Sequence, residues 1–180
     1  MELFDGFNKE MNVEKKIIQQ YCEILPQELL KVWEIYGFGS LKDGYLKIIN
    51  PDNFQEVLKD SYFRSDISIP IFATAFGDII TWEENKYLRI VKYNKGVFIG
   101  ISSGFEFFWE DVITKRFQDK FFDIEKYEEA VLRIGKLEYD ECFGYVPLLG
   151  LGGNEKVENL KKVKIREHIE IITQLSGKIE

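Results

Sequence analysis

Apolar positions recur at helical spacing through the first third of the chain. Val13, Ile17, Tyr21 and Ile24 fall three or four residues apart, which predicts one amphipathic helix over residues 12–24. A second follows from Pro26, whose missing N–H costs nothing at a first helical position, with Leu29, Leu30, Trp33 and Tyr36 as its stripe and Gly37 as its stop. The breakers Gly37-Phe38-Gly39-Ser40 and Asp43-Gly44 flank a short strand, Tyr45–Ile49, and Asn50-Pro51 caps a third helix ending near residue 61. From there the period changes. Ile69–Phe76, Asp78–Trp82, Tyr87–Tyr93 and Val97–Ile101 are β-branched and aromatic runs with separations too short for helical crossovers, which predicts an antiparallel meander of four strands.

Phe105–Ile113 reads as a helix, and Asp123 caps another whose inward face is Ile124, Tyr127, Val131 and Ile134, stopped by Gly135. Tyr139–Gly153, rich in glycine, reads as an irregular loop held against the sheet. Val157–Ile165 is expected as a last strand, and Ile165, Ile169, Ile172 and Leu175 as the stripe of a closing helix ended by Gly177. The fold class is α+β: N-terminal helices packed on an antiparallel meander, with C-terminal helices. Polar and turn residues concentrate at 60–68, the one weak boundary, and no Gly/Ser linker separates the two sides.

The chain of 180 residues is 45% hydrophobic and 15% aromatic, enough apolar surface to outweigh the entropy of ordering it. Twenty-four Lys and Arg against 31 Asp and Glu leave a formal charge of −7. Such a balance repels DNA, RNA and anionic lipid, so no direct nucleic-acid or membrane contact is expected, and a basic protein is the favoured partner. The N-terminal Met1-Glu2-Leu3-Phe4-Asp5 is acidic where a secretory signal is basic, and no apolar run is long enough to span a bilayer, which predicts a cytoplasmic protein.

Candidate chemistry is sparse. One histidine, His168, cannot supply a metal centre and is expected partly packed at the core edge, while Cys22 and Cys142 lack C-x-x-C spacing and read as two buried small hydrophobes. The glycine-rich stretches at 37–44 and 150–156 match neither a dinucleotide fingerprint nor a P-loop. Adjacent carboxylate pairs diverge on a helix, and the rings of Phe105, Phe107, Phe108 and Trp109 sit among acidic neighbours that would repel a nucleic-acid strand. Neither a metal nor a cofactor is expected.

Leu25-Pro26-Gln27-Glu28-Leu29-Leu30-Lys31-Val32-Trp33, then Gly37-Phe38-Gly39, Asp43-Gly44 and Asn50-Pro51, resembles the GAD-like domain of bacteria. Thr74-Ala75-Phe76-Gly77-Asp78, Phe108-Trp109, Ala130–Gly135 and Tyr145–Gly153 resemble its companion, the C-terminal domain of type VI secretion immunity proteins that neutralise a DNase toxin, more distantly the Smi1/Knr4-like immunity superfamily. The resemblance implies a GAD-like helical region over 1–65 and an immunity-protein C-terminal α+β domain over 66–180, packed as one globular unit. It implies a non-enzymatic protein that binds and neutralises a cognate toxin, a basic nuclease, and is a monomer or small homo-oligomer when free. The resemblance carries over no toxin-contacting residue. Trp82, Glu83, Glu84, Trp109, Glu110 and Asp111 are the expected contact residues, as carboxylates beside turns and aromatics that read as exposed. A regulatory or scaffolding module that binds a host protein or small ligand is the alternative.

Overall fold

Seven strands that follow one another along the chain are also neighbours in space. In the computed structural model, which describes residues 2–180 and leaves Met1 of the acidic N-terminal stretch outside, they are β1 (Asn8–Met11), β2 (Phe38–Leu41), β3 (Leu46–Ile48), β4 (Ser68–Thr74), β5 (Ile79–Glu83), β6 (Tyr87–Lys92) and β7 (Val97–Ser103). Every pair is antiparallel. The four-strand meander is therefore the larger part of a seven-stranded one, and α1 (Lys15–Tyr21), α2 (Gln27–Ile35) and α3 (Gln55–Ser61) are insertions within it. The α+β class holds.

Two strands escaped the hydrophobic pattern for identifiable reasons. All four residues of β1 are exposed, so it shows no alternation, and β2 contains Gly39 where turn geometry was expected. That glycine serves pairing: a Cβ at 39 would stand 2.3 Å from the Asn8 carbonyl oxygen and 2.6 Å from the Phe7 ring. Further along, the expected helix at 105–113 shortens to α4 (Phe108–Asp111), and α5 (Lys115–Phe121) follows, its N-terminus capped by the Thr114 hydroxyl, which accepts from Phe117 N–H at 3.2 Å. Asp123 precedes α6 (Ile124–Ile134) but does not cap it. Its carboxylate turns to Lys92 Nζ at 3.7 Å. The expected loop at 139–153 begins as a strand, β8 (Glu141–Tyr145), which pairs with β9 (Leu160–Lys164) before α7 (Ile165–Ser176).

Period-two alternation in β5 and β6 sorts side chains between two cores. Ile80, Trp82, Leu88 and Ile90 join Leu29 and Trp33 of α2, Phe108, Phe117 and Tyr127 in the larger one. Ile79, Val91 and Tyr93 join Val57 and Leu58 of α3 with Ile165, Ile169 and Ile172 of α7 in the other. The chain end is tied there as well: Ile179 N–H donates to Ser61 O (2.9 Å), and Phe63 N–H to Ile179 O (3.1 Å). No helix of the described residues is long and apolar enough to cross a membrane.

Polar groups line the seam between β8, α7 and the sheet. Lys47 is buried, donates to Glu141 O at 2.6 Å, and is pushed by burial down to a pKa of about 8. His168 is also buried, deeper than the expected core edge, and loss of solvent lowers its pKa from 6.5 to about 4. Asn94 Nδ2 donates to Phe76 O (2.9 Å), so its oxygen is the acceptor for His168 Nε2 at 3.1 Å, and the neutral ring carries its proton there. Cys142 is buried, whereas Cys22 is exposed, against the expectation of two buried thiols.

Two outcomes follow from this seam. An unfolded His168 takes up a proton near pH 6.5 and the folded one only near 4, so stability falls as pH drops through that window, by about 3 kcal/mol for this group. Denaturant midpoints from pH 7 to 4 will fall less steeply in His168→Gln than in the wild type. At Gly144, a Cβ would stand 2.5 Å from His168 Cε1 and 2.8 Å from Val163 Cγ2. Gly144→Ala is expected to destabilise by about 1–3 kcal/mol, read as a lowered midpoint in urea.

Candidate functional site

Trp82 lies on the larger-core side of β5, close to the surface. It is only 6% exposed, and its indole N–H donates to Ile24 O at 3.0 Å, pinning the loop between α1 and α2 over the strand. Two concavities meet at this residue. One, of about 530 Å³, is lined on its apolar side by Tyr21, Ile24, Ile67 and Ile69 and carries Asp66 and Glu84. The other, of about 400 Å³, runs past Pro26 and Phe105 and carries Glu28, Glu106 and Lys86. Trp82 and Asn85 belong to both, so the two adjoin as one shallow groove, apolar at the Tyr21–Ile69 end and mostly polar at the Glu28–Glu106 end. Four of its five charged lining groups are carboxylates, and Glu28, Asp66 and Glu106 make no ion pair among the described residues.

The six residues singled out from the sequence divide sharply. Glu83 is 0% exposed, because the alternation that turns Trp82 one way turns Glu83 the other, beside Thr81. Its Oε1 accepts from Tyr62 Oη and Thr81 Oγ1, each at 3.0 Å, and its Oε2 from Arg64 Nε and Arg89 Nε, each at 2.8 Å. The two guanidinium groups also stack on rings, Arg64 over Phe63 and Arg89 over Tyr87 and Phe98. Glu83 thus organises the structure beneath the hairpin and presents nothing to a partner. Trp109, 7% exposed, packs against Phe4, Phe72, Phe105 and Phe108. It shares the aromatic cluster with Trp82 through Phe105, and both indoles are core groups, contrary to the exposed reading. Glu110 and Asp111 are exposed on α4 and do not line the groove.

Glu84 is at the rim. With Asn85 it holds the two left-handed positions, φ +53° and +52°, of the three-residue turn Glu84–Lys86 between β5 and β6. Asparagine tolerates that left-handed geometry, whereas a glutamate there costs about 1 kcal/mol or more. Its carboxylate reaches Arg64 Nη2 at 3.4 Å and is otherwise open to the groove. Sequence reasoning missed Glu28, Asp66 and Glu106. They come from three segments remote in sequence, and no spacing rule joins them.

Other concavities do less. A cleft of about 390 Å³ between Tyr93–Gly96, Leu148–Leu151 and the end of α7 has two lysines, but Lys95 is paired with Glu155 (3.3 Å) and Lys178 donates to Lys59 O (2.6 Å). Cys142 Sγ and the His168 ring both flank Gly77, yet burial pushes the thiol up to about 12 and the imidazole down to about 4, so neither form needed for a thiolate–imidazolium pair is favoured. Burial raises the Asp78 carboxyl, and it is held by Lys92 at 3.7 Å beside a void of only about 10 Å³. No group of three or more His, Cys, Asp or Glu placed to hold a metal occurs among the described residues.

The model of the GAD-like domain matches residues 1–94, more than half of the 180-residue chain. The chain belongs to the GAD-like family. Residues 102–176 match the model of the T6SS immunity protein Tdi1, C-terminal, so the two domains stand in the order the motifs implied. The fold of this GAD-like protein is similar to the crystal structure of Atu4351 from Agrobacterium tumefaciens, with a TM-score of 0.73 at 18% identity, covering 95% of this chain and 86% of that one. No curated protein matches the sequence.

Removing the buried anchor beneath the groove tests its structural role. Glu83→Ala leaves the partly buried Arg89 without its carboxylate and Arg64 with only the exposed Glu84, and a loss of about 3 kcal/mol is expected from urea unfolding.

Proposed function

We propose that this protein is an immunity protein that binds and neutralises an effector toxin of a type VI secretion system, by occupancy and without catalysis, in the cytoplasm of the cell that makes it. Its partner is a cognate protein toxin, a basic nuclease, met through the acidic groove around Trp82. The match of residues 102–176 to the Tdi1 C-terminal domain supports the first statement. The groove supports the second. Glu28, Asp66, Glu84 and Glu106 come from four segments to line the two adjoining parts of this groove, one of them apolar, with Lys86 as the single cation among the lining residues. A nuclease must display cations to hold a polyanion, and an anionic surface with an apolar centre can occupy them with fast, steered association. The strained placement of Glu84 favours the same reading, since a backbone cost kept at a rim carboxylate is typical of sites selected for contact.

Co-expression with the toxin-like product of an adjacent gene is the test. A stable complex that abolishes the toxin's nuclease activity and associates more slowly as salt rises is the expected result. Asn suits the left-handed turn, so Glu84→Asn combined with Asp66→Asn is expected to slow association about tenfold. Stability should be no lower than the parent's, because asparagine relieves the left-handed strain at position 84. Absence of a complex at every salt concentration overturns the proposal.

A further inference from the structure

Beyond the smaller core, the sheet face that buries Ile79 and Val91 continues towards the β5–β6 turn as a partly open platform. Glu83 of β5, Tyr87 and Arg89 of β6, and Phe98 and Gly100 of β7 share that face, because residues opposite one another in an antiparallel pair point the same way. Arg64, which follows α3, reaches the same Glu83 oxygen as Arg89.

Arg89 is held firmly but left half-used. Its guanidinium carbon lies 5.7 Å from the centre of the Tyr87 ring and 5.8 Å from that of Phe98, its side chain is only 24% exposed, and Nε is fixed on Glu83, yet its Nη groups donate to nothing among the described residues. Gly100, opposite Arg89 in register, keeps the fork open. A Cβ there would meet nothing nearer than Nη1, at 3.9 Å. Around it, Arg64 gives Nη2 to Glu84 at 3.4 Å, and Lys86 Nζ sits 5.3 Å over the Tyr87 ring with no ion pair among the described residues. Three cations therefore stand against two carboxylates, a local positive excess in a chain of net charge −7.

We propose that Arg89 takes a carboxylate side chain of the effector, in a two-pronged pair framed by Tyr87, Phe98 and Phe63, which is 48% exposed. This rests on the immunity reading above and adds a second contact to the groove. The free edge of a guanidinium matches the two oxygens of a carboxylate, and aromatic neighbours hold water away from such a pair. A nucleic-acid strand fits less well. Its neighbouring phosphates would meet Glu84 and Asp66, whereas a single carboxylate needs only the one excess charge. Glu84 joins the two surfaces, since it lines the groove and holds Arg64, so a partner seated in the groove meets the platform one side chain further on. Their roles divide. The field of the acidic groove sets the association rate, while the short-range pair at Arg89 sets the dissociation rate and rejects an effector that would bury the fork without an acceptor.

Association and dissociation rates of the full chain with the toxin-like product of the adjacent gene test this. Arg89→Lys keeps a cation beside Glu83 but loses the fork, and is expected to speed dissociation about tenfold while association changes less than about twofold. Gly100→Glu is the independent second variant. Its carboxylate, placed in the open space beside Nη1, occupies the fork from within the chain, so dissociation is again expected to be about tenfold faster, with a melting temperature no lower than the parent's. A complex whose dissociation neither variant changes overturns this inference and leaves the groove reading in place. Absence of any complex with the parent chain overturns both. Binding of a single-stranded oligonucleotide by the free chain, lost in Arg89→Lys, gives the platform to phosphates and also overturns the inference.

Discussion

Both faces of one continuous antiparallel sheet have to be covered, and the rest of the structure follows from that constraint. Helices inserted between the first strands cover part of each face, and the segments after β7 supply the remainder. Helix α7 closes on α3, and Ile179 exchanges backbone hydrogen bonds with Ser61, the last residue of α3, and with Phe63 just beyond it. The region matched by the GAD-like model and the region matched by the immunity-domain model therefore contribute to the same two cores. Lys47, His168, Asp78 and Lys92, buried polar groups at their seam, each have a partner.

Two adjacent glutamates illustrate how the sheet assigns roles. Glu83 is the last residue of β5 and faces inward, where two arginines, a tyrosine and a threonine satisfy its carboxylate. Glu84 is the first residue of the turn, held in a left-handed conformation, with its carboxylate at the groove. One makes the hairpin rigid and the other gives that rigid rim its charge. Their separation of function is a consequence of period-two geometry at the point where a strand becomes a turn.

Much of the secondary structure was legible because it rests on local periodicity. The stripe of α2, the closing helix α7 and the strands β4 to β7 stand where spacing and breakers put them, whereas Asn50 caps only the short turn Pro51–Asn53 and α3 starts later, at Gln55, without a side-chain cap. What was not legible had no local signal. β1 is polar on every side, β2 carries a glycine demanded by a neighbouring backbone, and β8 lies in a glycine-rich stretch that gains strand structure only by pairing with β9. For the groove, Trp82 and Glu84 were recognisable as an aromatic beside a charged turn. Alternation from Ile79 and Thr81 was the available signal that Glu83 points inward.

Composition and short-range spacing in the sequence already carried the α+β class, the acidic balance and the order of the two family motifs. Tertiary structure alone decided which carboxylates share a surface. Glu28, Asp66, Glu84 and Glu106 line adjoining concavities because the start of α2, the approach to β4, the β5–β6 turn and the segment after β7 converge on Trp82. Charge is a property of residues, but an electrostatic surface is a property of distances, and distances between remote segments exist only once the sheet has closed.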